Sequence, residues 1–305
     1  MKTTVRNIKK SFRYNYDLYI LLLPAVVYLV IFKYMPMYGL QISFKNFNPV
    51  QGMWGSPWAG ARHFQRFFGS YMFWTVLRNT LALSIYQMFA GFPIPIILAL
   101  LLNQVPSQRF KRTVQTTVYA PHFISMVVMV GMLQVFLSPR SGLVNHMIRA
   151  LGGEAIYFFG KAGYFRSLYV WSGIWQNAGW GTIIYLATLS SVDPNLHEAA
   201  IVDGANKLQR IWHIDVPGIL PVAVILLILR MGRVMSVGFE KAFLMRNPLN
   251  METAEIIATY VYEVGLVNAQ YSFSAAVGFF NSIINLILIV SVNELAKRLG
   301  QTSLW

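Results

Sequence analysis

Six long apolar runs constrain this 305-residue chain more than any other feature. Each run is near or above the roughly 20 residues that a helix needs to cross a bilayer. Backbone groups inside lipid must bond within their own segment, so runs of this length indicate helices. The sequence therefore predicts an all-α polytopic membrane protein with six transmembrane helices, at about residues 18–38, 76–103, 114–137, 168–190, 217–240 and 271–293.

The composition agrees with a membrane protein. Charged residues make up only 12% of the chain, whereas soluble domains carry about 25%. The net charge of +14 suggests nucleic acid at first, but the basic residues lie scattered at the ends of apolar runs and form no basic stripe. We interpret them as a topology signal and expect no nucleic-acid partner. With no cysteine and no paired histidine spacing, we also expect no metal or cofactor on this chain.

Residues 1–17 carry five basic residues against one acid and precede the first apolar run. That run is longer than the core of a secretory signal, and no cleavage pattern follows it, so an uncleaved first span is favoured. We interpret 1–17 as a cytoplasmic arm and 18–305 as a single transmembrane domain. Six crossings then place both termini in the cytoplasm, and twelve Lys/Arg inside against nine outside favour that topology. Pro24 and Pro36 predict a kink in the first span.

Glycine and proline mark the predicted loops. The segments 41–73, 138–167 and 241–270 are predicted to be external. The second contains an apolar stretch typical of a short surface helix, and the third predicts another surface helix after Pro248. Residues 191–216 remain as a cytoplasmic loop between the fourth and fifth spans.

A polar segment, Glu198–Pro217, lies within and just beyond this cytoplasmic loop. The preceding Asp193-Pro194 pair is a helix-start signal, because aspartate accepts from early amides and proline in the first turn loses no needed donor. We expect Gly204 to interrupt this helix before a second short helix that Pro217 closes. Small alanine side chains allow another protein to approach closely, and the Glu198 carboxylate suits a basic partner. The pattern predicts a compact knob that docks into another protein.

The spacing in this segment resembles the EAA motif of permease subunits in binding-protein-dependent ABC importers. The matching positions are Glu198, Ala199, Ala200, Asp203, Gly204, Ala205, Ile214 and Pro217. Val216 stands where that family usually has leucine. In the family, the motif forms coupling helices that insert into a cleft of a cytoplasmic ATPase, and its glutamate pairs with a basic residue there. The resemblance implies a type I ABC importer permease with these eight residues coupled to the ATPase.

Three further stretches, VGFEKAFLMRNPLNMETAEIIATYVYEVGL, QYSFSAAVGFF and the terminal SLW, resemble the polysaccharide and aldouronate oligosaccharide branch of carbohydrate-uptake permeases. This branch is related more distantly to the maltose importer permeases. The resemblance implies import of oligosaccharides, including acidic ones; another small carbohydrate or solute is the alternative within the class. It also implies a bacterial cytoplasmic membrane and four kinds of partner: a sister permease in a heterodimer, two copies of an ATPase that binds ATP and Mg, an extracytoplasmic solute-binding protein, and the sugar.

Polar and aromatic residues inside the spans are candidates for the substrate path, because such groups are costly against lipid. In the fourth span we select Trp175 and Asn177, and interpret Trp171 as part of an interfacial aromatic belt. Asn281 and Asn285 form an i,i+4 pair in the sixth span, which either lines the path or bonds across helices. Weaker candidates near the second span are Arg78, Asn79 and Gln87.

Two cations, Arg230 and Arg233, are predicted on one face of the fifth span, with Glu240 two turns beyond Arg233. They are the best candidates for binding a sugar carboxylate. The structural alternative is a salt bridge to the sister subunit or to Glu240, and the residues themselves leave both interpretations open.

An enzymatic role is not predicted. The sequence holds no P-loop, zinc-protease motif or nucleophile elbow, so we expect that the partner ATPase, and not this chain, hydrolyses ATP. A self-contained secondary carrier is the main alternative class. It would need intramembrane acids and internal repeats, whereas only Glu240 approaches a span and no convincing repeat is present.

Overall fold

The structure is a computed structural model that describes residues 14–300 and 302–304. The predicted all-α class is confirmed: helices dominate these residues, and a single bridge between Lys45 and Trp58 is the extent of their β-structure. The N-terminal arm, apart from residues 14–17, lies outside the described residues. We number the main helices α1 Tyr16–Phe44, α2 Arg62–Phe68, α3 Met72–Asn103, α4 Gln108–Phe123, α5 Met126–Phe136, α6 Leu143–Ala150, α7 Ala162–Leu189, α8 Pro194–Val202, α9 Lys207–Met231, α10 Phe239–Met245, α11 Ile257–Tyr262 and α12 Tyr271–Arg298.

Four helices, α1, α3, α9 and α12, are long and apolar enough to cross a membrane. The pair α4 and α5 counts as a fifth span if its two bent halves are taken together. Helix α7 has 28 residues, about 42 Å at 1.5 Å per residue. It is less apolar than the others because polar side chains interrupt it, and eleven of its residues are buried inside the protein. The predicted fourth span is therefore a helix that is partly buried against its neighbours and partly exposed.

The chain forms two compact units, and α12 contributes residues to both. The smaller unit comprises residues up to Phe67 together with Val264–Phe279. In it, α1 buries no side chain before Ser43. Of the two prolines predicted to kink α1, Pro24 lies inside an uninterrupted α-helical stretch, Tyr16–Leu29, whereas a π segment, Val30–Tyr34, precedes Pro36. The wider turn accommodates a proline that has no N–H to donate.

In the larger unit, α7 packs at backbone distance against its neighbours. A Cβ at Gly179 would collide with the carbonyl of Val118 in α4, and a Cβ at Gly181 would lie 3.1 Å from the ring of Pro95 in α3. Glycine is required where two helices approach this closely. A buried apolar cluster then joins α3, α7 and α9; its members are Ala99, Leu102, Tyr185, Leu186, Leu189, Ile219 and Ala223.

The fifth span ends earlier than predicted. Helix α9 stops at Met231, and residues 232–238 form a turn before α10 begins at Phe239. Side chains from other helices bond the backbone of this turn: Asn285 Oδ1 accepts from the Met235 N–H at 2.9 Å, and the Ser84 hydroxyl donates to the Val234 carbonyl. These partners replace the helical hydrogen bonds that continuing α9 would have made.

The third span is also not straight, because α4 and α5 meet at a 99° bend. Pro121 lies in a 3-10 turn at the end of α4, Ile124 is extended, and the Ser125 side chain caps α5 by accepting from the Val128 N–H at 3.3 Å. The bend occurs where Ser125, an N-cap residue within the apolar run, starts a new helix.

Of the two predicted surface helices, the first is present as α6. Asn145 of α6 is buried, and its side-chain amide donates to the carbonyls of Leu137, Ser138 and Ile156. The second prediction is wrong. The segment after Pro248 forms one turn at Met251–Ala254 and then α11, and Ala254, Ile256 and Ile257 are fully or almost fully buried, because this segment packs against α3 and α7.

A charged cluster holds this buried segment. Arg246 Nη1 contacts the Glu255 carboxylate at 2.8 Å and the Glu263 carboxylate at 3.0 Å. The Glu255 side chain is only 3% exposed, and burial raises the pKa of Glu255, whereas Arg246 and Thr259 act to lower it.

We predict that Arg246→Ala destabilises the folded protein by about 3 kcal/mol or more, because it leaves the buried Glu255 carboxylate with no cation. The control Arg298→Ala removes an exposed i,i+4 pair with Glu294 and is expected to cost under about 1 kcal/mol. Thermal unfolding of the detergent-purified protein measures both.

The loss in Arg246→Ala should be smaller at pH 5 than at pH 8. Without Arg246, the pKa of Glu255 in the folded protein rises further above its unfolded value, so the folded state is favoured where the carboxyl is protonated. Equal melting temperatures for Arg246→Ala and Arg298→Ala would contradict this description of the cluster.

Candidate functional site

The helix that carries the motif begins as predicted. Asp193 Oδ1 accepts from the Asn195 N–H at 3.0 Å, and Pro194 is the first residue of α8. Helix α8 ends in a Schellman motif, in which the Ala205 N–H donates to the Ala200 carbonyl at 2.8 Å. Gly204 has φ +78° and open space where a Cβ would stand, so glycine is present for its left-handed backbone and not for close packing.

The motif segment, Glu198–Pro217, is largely exposed. Glu198, Ala199, Asp203, Gly204 and Pro217 are exposed, and α8 buries no residue. Ala200, Ala205 and Ile214 are half-buried. The segment also exposes large apolar side chains: Ile201, Val202, Leu208 and Trp212. An exposed apolar patch of this kind, beside an exposed carboxylate, is typical of a protein interaction site.

The second half of the segment differs from the prediction. The helix after Gly204 begins at Lys207, where Asn206 and Gln209 form a capping box, and it continues through Pro217 to Met231. A π segment, Ile211–Asp215, precedes the proline and accommodates it. The motif segment therefore consists of part of one short helix, α8, followed by the first turns of the spanning helix α9.

Asp215 is the residue that sequence reasoning missed. Its carboxylate is fully buried; Gln104 Nε2 donates to it at 2.9 Å, Asn103 Nδ2 donates at 3.5 Å, and His197 Nε2 lies 3.2 Å away. These partners belong to the end of α3 and to α8. The sequence signal for this site is an acidic residue, Asp215, that stands between apolar residues two positions before Pro217.

A cavity of about 940 Å³ lies among α3, α7, α9 and the turn after α9. Three of the predicted path residues, Asn177, Arg230 and Arg233, line it, as does the weaker candidate Gln87. The described residues that line it include no aspartate or glutamate. The cavity therefore carries two cationic side chains and no compensating carboxylate.

The two arginines occupy different structural positions. Arg230 lies in the last turn of α9, with its guanidinium 5.3 Å from the centre of the Phe92 ring. Arg233 lies in the turn beyond the helix, so the prediction that both lie on one helical face is wrong. Glu240 is exposed in α10 and does not line the cavity, and no ion pair joins it to either arginine in the described part of the chain. The alternative of a salt bridge to Glu240 is not formed.

Aromatic groups flank one edge of the cavity. Asn177 Oδ1 lies 3.0 Å from His122 Nδ1, and the His122 ring stacks on Trp180 with centroids 4.5 Å apart. Trp180 lines the cavity. Trp175 does not line it and is half exposed. Trp180, and not the predicted Trp175, is therefore the α7 tryptophan at the cavity.

The asparagine pair of the sixth span lies outside the cavity lining. Asn285 bonds the turn after α9, since its Nδ2 donates to Ser236 Oγ at 2.9 Å, and of its two predicted roles the bond across helices is the one observed. Asn281 Oδ1 is buried with no hydrogen-bond partner among the described residues. Asn79 bonds the backbone of Glu252 and Glu255, which is a structural role. The cavity is thus built by α3, α7 and the end of α9.

Comparison with known proteins identifies the family. Residues 91–301 match the model for the binding-protein-dependent transport system inner membrane component. Protein LplB of Bacillus subtilis (strain 168) is 45% identical over 288 residues, covering 94% of this chain and 91% of that protein. The polygalacturonan/rhamnogalacturonan transport system permease protein YteP of the same organism is 46% identical, covering 94% and 90%.

Solved structures agree. A chain of a bacterial ABC transporter involved in the import of the acidic polysaccharide alginate superposes with a TM-score of 0.89 at 40% identity, covering 97% of this chain and 100% of that one. The same transporter in complex with an alginate pentasaccharide-bound periplasmic protein gives a TM-score of 0.88. With this fold and these relatives, the chain belongs to the binding-protein-dependent transport system inner membrane components, a family of multi-pass membrane permeases.

Proposed function

We propose that this chain is one permease subunit of an ATP-driven importer of acidic oligosaccharides. The observation that carries the proposal is the cavity of about 940 Å³ that presents Arg230 and Arg233 and no described carboxylate. Cations at membrane depth are costly, and a site keeps them when they bind an anion. Arginine suits sugar carboxylates because its planar fork forms paired charge-assisted hydrogen bonds. The relatives that transport polygalacturonan, rhamnogalacturonan or alginate support an acidic substrate.

The chain itself supplies no ATP chemistry in this proposal. A cytoplasmic ATPase, in two copies, binds ATP and Mg, and a sister permease completes a heterodimeric channel. A solute-binding protein delivers the sugar from outside, as the alginate transporter with its bound periplasmic protein suggests. Both termini and the motif segment face the cytoplasm, in the bacterial inner membrane.

The mechanism we propose is alternating access. Closure of the ATPase dimer moves the motif segment, whose exposed Glu198 and apolar side chains contact the ATPase. Because the second part of the segment is continuous with α9, its displacement is transmitted along the helix whose last turn contains Arg230. The cavity then opens to the outside, and hydrolysis returns it to the inside. The driving energy comes from contacts that differ between the two states.

The alternative of a secondary carrier is weaker here. Such a carrier needs a group that binds protons or ions within the path. The described residues that line the cavity include arginines and amides but no aspartate or glutamate that could bind a proton or a cation. Uptake that continues when the ATPase partner is inactivated would support the carrier.

We predict that Arg230→Gln and Arg233→Gln each lower uptake of a galacturonate oligosaccharide by about tenfold or more, since each removes a charge-assisted contact with a carboxylate. Uptake into proteoliposomes containing the complete transporter measures this. Arg109→Gln, an exposed arginine outside the cavity, is the matched control and should transport normally. Unchanged uptake in both cavity variants would contradict the proposed substrate contacts.

We also predict that Glu198→Ala leaves the permease in the membrane but lowers uptake and substrate-stimulated ATP hydrolysis by about tenfold or more, because removing one partner of an interface ion pair costs about 2–5 kcal/mol. Glu294→Ala, which removes an exposed glutamate from α12, is the control. A purified, fully assembled Glu198→Ala complex with wild-type uptake and ATP hydrolysis would contradict the role of the motif.

A further inference from the structure

Asp215 is a fully buried acid in the π segment that precedes Pro217. It is not one of the eight positions that match the family motif, and it does not line the cavity. Removing an ionised carboxylate from water is costly unless several donors compensate it. A buried acid between the apolar residues Ile214 and Val216 therefore requires a reason.

Three donors from outside α9 compensate this carboxylate. Gln104 Nε2 donates to it at 2.9 Å and Asn103 Nδ2 at 3.5 Å, both from the end of α3. His197 Nε2 of α8 lies 3.2 Å from Asp215 Oδ1. Because an ionised carboxylate only accepts hydrogen bonds, Nε2 is the ring nitrogen that carries a proton here. Asp215 thus joins α3, α8 and its own helix, α9, at one point.

His197 and Glu198 lie on different sides of α8. Consecutive residues of an α-helix point about 100° apart, since a turn takes 3.6 residues. The His197 side chain is 24% exposed and contacts Asp215, whereas Glu198 is exposed. The residue proposed to contact the ATPase is therefore the direct neighbour of the residue that contacts Asp215.

The contact between His197 and Asp215 also brings the two ends of the stretch between them together. That stretch contains the end of α8, Gly204 and the first turns of α9. Gly204 has a left-handed backbone and nothing within 4 Å of its Cβ position, so side-chain packing does not fix the angle between α8 and α9 there. The contact at Asp215 supplies this restraint, because it ties α8 to α9 beyond the turn.

We propose that Asp215 and His197 are positioning residues of transport, whose contact carries movement of α8 into α9 and α3, two helices that also line the cavity. The inference rests on the proposed function and separates two roles within it. Glu198 serves binding to the ATPase, and the Asp215 contact serves transmission of the movement to the helical bundle. The competing explanation is that Asp215 only stabilises the fold.

Two variants weaken the contact from its two sides. His197→Ala removes the imidazole from a half-buried position, and alanine favours the helix. Asp215→Asn keeps the shape but has one acceptor oxygen, whereas the three donors approach two. His146→Ala and Asp193→Asn are the matched controls, because they are the same substitutions at exposed positions. Asp193 is an N-cap, where asparagine is as favourable as aspartate.

Uptake of a labelled galacturonate trisaccharide and ATP hydrolysis are measured in the same proteoliposomes, which contain the complete transporter and its binding protein. The readout is the number of sugars transported per ATP hydrolysed. We expect His197→Ala and Asp215→Asn to lower this ratio by about tenfold, the loss typical of one hydrogen bond to a charged group, while ATP hydrolysis stays within about twofold of wild type. His197→Gln, which restores a donor, should recover most of the ratio, and both controls should keep it.

A purely structural role would give a different result. Fewer intact complexes would lower uptake and ATP hydrolysis in proportion, so the ratio would stay constant. The double variant, His197→Ala with Asp215→Asn, should lose no more than the larger single loss, because both substitutions remove the same contact.

An unchanged ratio in both single variants, an equal loss in the controls, or additive losses in the double variant would overturn the proposal. If one single variant fails to assemble, the other decides. Failure of both to assemble would assign the contact to folding and would also overturn the proposal. A wild-type complex whose uptake needs no ATP would instead contradict the proposed function, which separates the two failures.

Discussion

The buried carboxylate of Asp215 is the interaction on which the link between the motif segment and the helical bundle depends. A carboxylate removed from water must be bonded from several sides. At Asp215 the donors come from the end of α3 and from His197 of α8. Helix α8 buries no residue of its own, and His197 is the α8 residue that contacts this carboxylate. In the proposed mechanism, this contact passes movement of α8 to α9 and to the end of α3.

The helices that meet at Asp215, α3 and α9, also line the cavity. Helix α7 approaches its neighbours closely through Gly179 and Gly181, and its smaller residues leave room on the side that faces α9. The early end of α9 at Met231 brings a turn, with Arg233 in it, to the cavity wall. Asn285 and Ser84 stabilise that turn by bonding its backbone. Part of the cavity wall is thus formed where α9 is interrupted, and side chains of α3 and α12 bond the backbone of the turn that follows.

Much of this architecture follows from local sequence signals. Apolar runs of spanning length predict helices, the Asp193-Pro194 pair predicts the start of α8, and glycine at position 204 predicts the turn that ends it. The predictions that fail concern features that depend on residues distant in the chain. The end of α9 is decided by Asn285, some 50 residues away, while the apolar sequence continues past it. Burial of the segment after Pro248 depends on packing against α3 and α7, which no local pattern reveals.

The sequence predicts only part of the candidate site, because the other part depends on contacts between residues that are distant in the chain. Arginines inside an apolar run are conspicuous, so the sequence identifies Arg230 and Arg233 as cavity residues. Trp175 is selected as an aromatic residue inside a span, but it does not line the cavity although α7 is a continuous helix. Glu240 is placed by helical spacing that ends with α9 at Met231. Asp215 lies inside the recognised motif segment yet matches no motif position. Lys241 resembles an ordinary loop cation until its burial and its hydrogen bond to the Tyr169 carbonyl are known.

In the proposed mechanism, ATP-driven movement of the motif segment changes which side of the membrane the cavity faces. The chain has no cysteine, so a single one introduced at Ala187, a small exposed cavity residue, reports this directly. A membrane-impermeant thiol reagent should label Ala187→Cys from the cytoplasmic side without nucleotide. With ATP trapped in the complete complex, it should label from the external side. Labelling from the same side in both states would contradict alternating access.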